Sequence, residues 1–348
     1  MSFQRDHLSG KIPVTIITGF LGSGKTTLIS KLLLHPDMNR VAVVINEIGE
    51  IGIDNDLVTM SSENISLLAN GCICCSVRTD MQETLRDLFA RRHTGEIPEF
   101  DRVIIETTGL ADPAPVVQTL VSDTMLEAQY RLDGLVTLVD GFNGLYQIEH
   151  QAEVVKQLAI ADLVLVSKSD LITSADLDLL KSQITEINPS AKILLVINGA
   201  LDPYSLINLG LSSARASAKT LSFLGTFLND ESQAPPKYIG DFSQKHNRNI
   251  KTHSLRFLDP FSWEAASSAL ELLSTLRGAD LLRVKGILNI EGSPVVIQGV
   301  QHIFHPPVKL DAWPSDDHTS RAVFITSNIS AETIESLFKA VGAITKIE

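Results

Sequence analysis

The sequence predicts an α/β protein: a first domain with a mostly parallel, doubly wound sheet, then a smaller C-terminal α+β domain. Three observations carry this. Short apolar, β-branched runs alternate with segments of helical periodicity from Pro13 to Ile197. A glycine-rich turn joins the first run to the first helical segment. Past a polar stretch ending near Asn249, strand-like runs follow one another with a helical segment before and after. A chain of 348 residues is long enough for two such cores.

Pro13 to Thr18 reads as the first buried strand, and Lys25 to Leu34 as the first helix. Val41 to Asn46, Val103 to Ile105, Leu135 to Asp140, Leu163 to Ser167 and Ile193 to Ile197 are further apolar runs ending in polar or turn residues, the pattern of parallel strands covered on both faces. Helical segments are expected near Asp80 to Arg91, Pro113 to Ser122, Gln151 to Ile160 and Ser174 to Ile187. That alternation implies right-handed βαβ crossovers. The first domain spans residues 1–220. Residues 221–249 lose periodicity and form a turn-rich linker. Residues 250–348 form the second domain, with strands over Thr252 to Phe257, Leu281 to Ile290, Ser293 to Val300, His302 to Leu310 and Arg321 to Ser327. Its helices cover Phe261 to Leu276, capped by Ser262, and Ser330 to Ala340.

With 44% hydrophobic and 20% charged residues the chain has the composition of a folded globular protein. The net charge of −12 repels phosphate backbones, which argues against nucleic acid as a partner. No run reaches about 18 consecutive apolar residues, so no membrane span is expected. The polar start, Met1 to Lys11, lacks the apolar core of a secretory signal, and a cytoplasmic location is the expectation. The three cysteines fall within four positions, the opposite of a spread disulfide framework, and imply reduced thiols.

Gly19-Phe20-Leu21-Gly22-Ser23-Gly24-Lys25-Thr26 fits the phosphate-binding loop pattern between a strand and a helix. Glycines at 19, 22 and 24 let the backbone amides wrap phosphates, Lys25 places a charge on the β and γ groups, and the Thr26 hydroxyl suits Mg²⁺. Ser23 and Thr27 complete the nucleotide-binding residues of this segment. Ile104-Ile105-Glu106-Thr107-Thr108-Gly109 puts a carboxylate at a strand's C-terminal end, where open α/β sheets bind ligands. Glu106 is then placed to reach Mg²⁺ through water, while Thr108 and Gly109 approach a γ-phosphate. Lys25, Thr26, Glu106 and Gly109 are the candidate catalytic set. Ser167-Lys168-Ser169-Asp170 follows another strand at the same edge. A carboxylate at Asp170 accepts from both the N1–H and the exocyclic amine of guanine. Adenine lacks that donor pair, so this segment favours GTP over ATP.

Cys72-Ile73-Cys74-Cys75 holds every thiol of the chain. Thiolates suit Zn²⁺ or another thiophilic divalent metal, and in an extended segment Cys72 and Cys74 share a face. Three sulfur ligands leave a tetrahedral site incomplete, which suits a carrier, and Glu50 in Asn46-Glu47-Ile48-Gly49-Glu50 is a candidate fourth ligand. Packing of the thiols as small hydrophobes and a redox role remain competing readings. Asp54 follows in the same segment as a candidate Mg²⁺ or water contact. The nine histidines show no comparable ligand spacing.

These motifs, with Ile45-Asn46-Glu47-Ile48-Gly49-Glu50, Asn70-Gly71-Cys72, Ile105 to Pro113 and the C-terminal runs Leu282 to Ile287, Val296 to Gln301 and Arg321 to Ile325, together resemble the CobW/YjiA family of P-loop metal-linked GTPases, in particular its YjiA branch. The resemblance implies slow, Mg²⁺-dependent GTP hydrolysis, metal binding at Cys72, Cys74 and Cys75, and delivery of zinc, cobalt or a similar ion to a metalloprotein client. It differs at Ile48, where the family usually has phenylalanine, and in lacking a histidine-rich tract, which argues against metal storage. Rival readings are a metal-sensing regulator that binds a partner without transferring metal, and a P-loop phosphotransferase. A homo-oligomer is a further candidate partner, and since no arginine finger is identifiable an external activator is a candidate requirement.

Overall fold

The computed structural model describes residues 10–45, 58–61, 65–68, 73–76, 80–207, 209, 250–305 and 307–344, with backbone alone for 58–61, 65–68, 74–76 and 343–344. The expected linker, 221–249, lies outside them, as do Glu50, Asp54 and Cys72. By contact the chain divides into two units, Met1–Glu149 with Ala161–Lys181 and Lys192–Ser212, and His150–Ile160 with Ser182–Ala191 and Ser213–Glu348.

In the first part of the chain, β1 (Ile12–Gly19) leads to α1 (Lys25–Leu33), then β2 (Val41–Ile45), β3 (Val58–Ser61), β4 (Ile65–Leu68), β5 (Ile73–Ser76), α2 (Met81–Thr94) and β6 (Arg102–Glu106). There follow α3 (Ala114–Ser122), α4 (Thr124–Gln129), β7 (Tyr130–Asp140), α5 (Gly144–His150), α6 (Ala152–Ile160), β8 (Leu163–Ser167), α7 (Ser174–Ile187) and β9 (Lys192–Val196). The strands form one nine-stranded sheet in the order β3-β4-β5-β2-β6-β1-β7-β8-β9. From β5 to β9 every pairing is parallel, and only β3-β4 and β4-β5 are antiparallel. This is the mostly parallel, doubly wound sheet that the alternation of apolar runs and helices predicts.

Because neighbouring strands run parallel, their C-terminal ends gather at one sheet edge. The registers place Ile17 beside Glu106, Gly19 beside Leu138, Asp140 beside Ser167 and Ser167 beside Val196. Leu28, Ile29, Leu32 and Leu33 of α1 pack into a core with Ile17, Val43, Ile104, Val136, Leu138 and Leu165. Burial of these side chains anchors the helix over the sheet and so fixes where its N-terminus points.

Two boundaries differ from expectation for identifiable reasons. β7 begins at Tyr130, before the apolar run, because its first half buries Asp133 against Arg102 at 2.6 Å and Arg131 at 3.1 Å. A buried ion pair hides a strand from a reading based on apolar runs. α2 runs on to Thr94, where Gly95 at φ 75° closes it with a left-handed cap whose amide meets Arg91 O and Arg92 O.

In the second unit, β10 (Ile250–Phe257), α8 (Trp263–Arg277), β11 (Leu281–Ile290), β12 (Ser293–Val300), β13 (Ile303–Phe304), β14 (Val308–Lys309), β15 (Ser320–Ser327) and α9 (Ala331–Ile344) follow in order. The sheet is antiparallel, ordered β10-β15-β11-β12-β13 with β14 also on β12. Ala266, Ala269 and Leu273 of α8, and Ile334 and Phe338 of α9, cover Val284, Leu288 and Phe324. Ser262 caps α8 by accepting from the Ala265 amide at 3.1 Å. The strand expected over His302 to Leu310 is two short pieces instead. Prolines at 306 and 307 cannot donate to a ladder.

Candidate nucleotide-binding site

The loop between β1 and α1 is shaped by glycines in conformations that other residues avoid. Gly22 has φ 74° and Gly24 φ 94°. At Gly19 a Cβ would collide with the backbone oxygen of Leu138 and lie 2.8 Å from Ser23 Oγ. The turn closes through Ser23 N donating to Phe20 O at 3.1 Å, and α1 starts with Leu28 N donating to Gly24 O at 2.9 Å. The first amides of α1 have no helical acceptor, and no acidic residue sits in its first turn to take up their positive potential. Such an end suits an anion. Lys25 is buried and folds its ammonium back onto Gly19 O at 3.0 Å, and Ser23 Oγ is buried with no hydrogen-bond partner among the described residues.

β6 brings Glu106 to the same edge, 1% exposed, where its Oε1 accepts from the Thr26 hydroxyl at 3.3 Å. Thr107 locks the strand's exit to β1, its amide donating to Ile17 O at 3.0 Å and its hydroxyl to Thr18 Oγ1 at 2.8 Å. The chain then turns through Thr108, whose carbonyl accepts from Ala111 N at 3.1 Å, to Gly109. A Cβ at Gly109 would lie 2.8 Å from Leu21 N, so only glycine lets this loop rest on the phosphate loop. A hydroxyl and a carboxylate joined at the mouth of an anion-binding turn are the donor set that Mg²⁺ takes from a protein when it rides on phosphates. The residues therefore fit the ion, and Thr26 and Glu106 would be the ones to hold it.

The segment from Ser167 to Asp170 closes the other side. Gly24, Thr27, Leu28, Leu138, Ser167, Lys168, Asp170, Leu171, Val196, Asn198 and Gly199 line a cavity of about 230 Å³. That is below the roughly 300–1,000 Å³ of pockets enclosing a drug-sized ligand, so it suits one ring system with phosphates outside on the loop. Ser167 Oγ donates to Ser23 O at 2.7 Å, and Lys168 Nζ to Gly22 O at 2.9 Å and to Asp140 Oδ2 at 2.7 Å. Asp170 is exposed at the cavity wall, in the short 3-10 turn Ser169–Leu171. Burial works against the charge on Asp140. Hydrogen bonds from Lys168 and from the side chain and amide of Asn143 outweigh it and hold the carboxyl below the usual carboxylate range.

The structure thus gathers Gly19, Gly22, Ser23, Gly24, Lys25, Thr26, Thr27, Glu106, Thr108, Gly109, Lys168 and Asp170 at one edge of one sheet. Asp140, Asn198 and Gly199 join them without having been singled out in the sequence. Their signals were present: Val139-Asp140-Gly141 is an apolar strand ending in a carboxylate, as at Glu106, and Asn198-Gly199 is a turn directly after β9. Cys74 and Cys75 lie on β5, beside Val43 and Val44 of β2. Cys72, Glu50 and Asp54 fall outside the described residues, and among those described no cluster of three or more His, Cys, Asp or Glu is placed to hold a metal ion.

A left-handed glycine loop feeding a buried lysine into a helix N-terminus, a strand-end carboxylate on its threonine, and a lysine–aspartate segment walling a ring-sized cavity define a P-loop nucleotide-binding protein. Comparison with known proteins narrows this. Residues 13–195 match the CobW/HypB/UreG nucleotide-binding domain, and residues 250–342 the cobalamin synthesis protein cobW C-terminal domain. The chain belongs to the CobW/YjiA branch of the P-loop GTPases. It is 32% identical to the zinc chaperone YjiA of Escherichia coli over 94% of this chain and 98% of that protein. It is also 32% identical to zinc-regulated GTPase metalloprotein activator 1 of Schizosaccharomyces pombe, over 86% and 78% of the two chains. The crystal structure of Zn(II)-bound YjiA GTPase from E. coli superposes with a TM-score of 0.74 at 30% identity, covering 95% of this chain and 99% of that one.

Proposed function

We propose that this protein binds Mg²⁺-GTP, hydrolyses it slowly, and carries Zn²⁺, cobalt or a similar thiophilic ion on Cys72, Cys74 and Cys75 with Glu50, handing it to a metalloprotein client under nucleotide control. The observation that carries the reading is the ladder β5-β2-β6. It sets Cys75 beside Val44, Ser76 beside Ile45 and Ile45 beside Glu106. Strands lie about 4.8 Å apart, so the cysteine strand is only two ladder steps from the carboxylate that meets Thr26. Similarity to proteins named as zinc chaperones supports metal as the cargo.

The phosphates lie on the amides of residues 22–26, and Lys25 exchanges its contact with Gly19 O for them. Thr26 and Glu106, with Asp54 in support, hold Mg²⁺, which supplies charge neutralisation at the phosphates. Gly109 brings its backbone to the γ-phosphate with no side chain between, so loss of that group releases the loop. Asp170 accepts from guanine N1–H and the 2-amine. The triphosphate state completes the thiolate site with Glu50, and hydrolysis opens the site to release the ion. By linkage, tenfold tighter metal binding with GTP means tenfold tighter GTP binding with metal, a coupling of about 1.4 kcal/mol. A reducing cytoplasm keeps the thiols available.

A zinc competition titration against a chromophoric chelator tests this, comparing Mg²⁺-GDP with a non-hydrolysable Mg²⁺-GTP analogue. Tighter zinc binding in the triphosphate state, lost in Cys74→Ser, is the expected result. Equal affinity in the two states would sink nucleotide-gated transfer.

A further inference from the structure

We propose that Asp140 is a positioning residue for base recognition, holding Lys168 so that the segment carrying Asp170 keeps its place over the cavity. The inference rests on the reading of that cavity as a guanine site. Asp140 is the last residue of β7 and 2% exposed as a side chain, whereas Lys168 is 40% exposed. A long, half-exposed lysine has many rotamers to choose from. Here one buried carboxylate takes its ammonium at 2.7 Å, and the same ammonium reaches Gly22 O of the phosphate loop at 2.9 Å. The pair therefore bolts the base segment to the phosphate loop.

Three further observations show that this corner is built to a fixed shape. Lys168 has φ 52°, a left-handed conformation that a residue with a side chain keeps only when its surroundings hold it. Next to Asp140, Gly141 donates its amide to Ser167 O at 2.7 Å, and a Cβ at Gly141 would lie 2.6 Å from that oxygen. Asp140 is itself fixed by accepting from the amides of Phe142 at 2.9 Å and Asn143 at 3.2 Å and from the Asn143 side chain at 3.1 Å. Without the carboxylate, Lys168 loses the partner that opposes relaxation of its backbone, and Asp170 two residues on loses its aim.

Isothermal calorimetry with two probes tests the proposal: Mg²⁺-GDP, which needs the base segment, and Mg²⁺-tripolyphosphate, which needs only the phosphate loop. Asp140→Asn keeps acceptors for the Phe142 and Asn143 amides but removes the charge. It is expected to weaken GDP roughly tenfold, the scale of a charge-assisted hydrogen bond, with tripolyphosphate unchanged. Added to Lys168→Met, it should cost nothing more. Asp140→Ser repeats the test should the asparagine variant fail to fold. Unchanged GDP affinity, or an equal loss for both probes, overturns the positioning role. A wild-type protein that binds tripolyphosphate but not GDP overturns the guanine reading instead.

Discussion

Thr26 donates its hydroxyl to Glu106 Oε1 at 3.3 Å, joining the first turn of α1 to the end of β6 across eighty residues of sequence. Neither group belongs to the other's element, and the bond forms only because parallel strands deliver both to one edge. It gives a nearly fully buried carboxylate a hydrogen-bond donor.

If those two groups hold the phosphate-bound Mg²⁺, Glu106→Gln keeps the shape and removes the charge. GTP turnover under single-turnover conditions should fall on the order of a hundredfold, while GDP affinity in the absence of Mg²⁺ stays near that of the wild type. Chelating Mg²⁺ should bring wild type and variant to the same residual rate. A variant that hydrolyses GTP at the wild-type rate would remove Glu106 from the site.

Asp170 stands exposed at the cavity wall, where the proposed reading has it accept from guanine. Xanthine carries a carbonyl where guanine carries its 2-amine, so Asp170→Asn exchanges an acceptor for a donor at that edge. Competition binding should show GDP weakened roughly a hundredfold and xanthosine diphosphate strengthened. Equal weakening of both would mean that Asp170 supports the loop without reading the base.

What was legible in the sequence was what chemistry demands at fixed spacing. The phosphate loop needs glycine, lysine and threonine at set positions, and its residues fall together as their pattern requires. Asp140 escaped notice because one carboxylate at a strand end is an ordinary surface signal until the fold buries it beside Lys168. The first half of β7 escaped because Asp133 and Arg131 break its apolar run, although their ion pairing makes the segment a strand interior. β3 and β4 are four residues each, with Thr59, Ser61 and Ser66 interrupting their apolar character, too short and mixed to register as strands.

The second unit should carry a mild acid sensitivity of its own, through His253 on β10. Its Nε2 contacts Ile329 O at 2.8 Å, and since a carbonyl only accepts, that nitrogen carries the proton. Burial is the largest influence and lowers its affinity for a second proton, the Ile329 bond raises it, Lys251 lowers it and Glu332 raises it. The balance holds the imidazole below its ordinary 6.5. In the window from that folded value up to 6.5, the unfolded chain binds a proton that the folded chain does not, so stability rises with pH. The contribution is complete above 6.5 and lost as pH falls through the folded value. Urea denaturation at pH 7.5 and at pH 5 should therefore show a loss of stability on acidification that is smaller in His253→Gln, with the difference confined to a probe in the second unit such as Trp263 fluorescence. The same loss in both proteins would assign the acid sensitivity to another group.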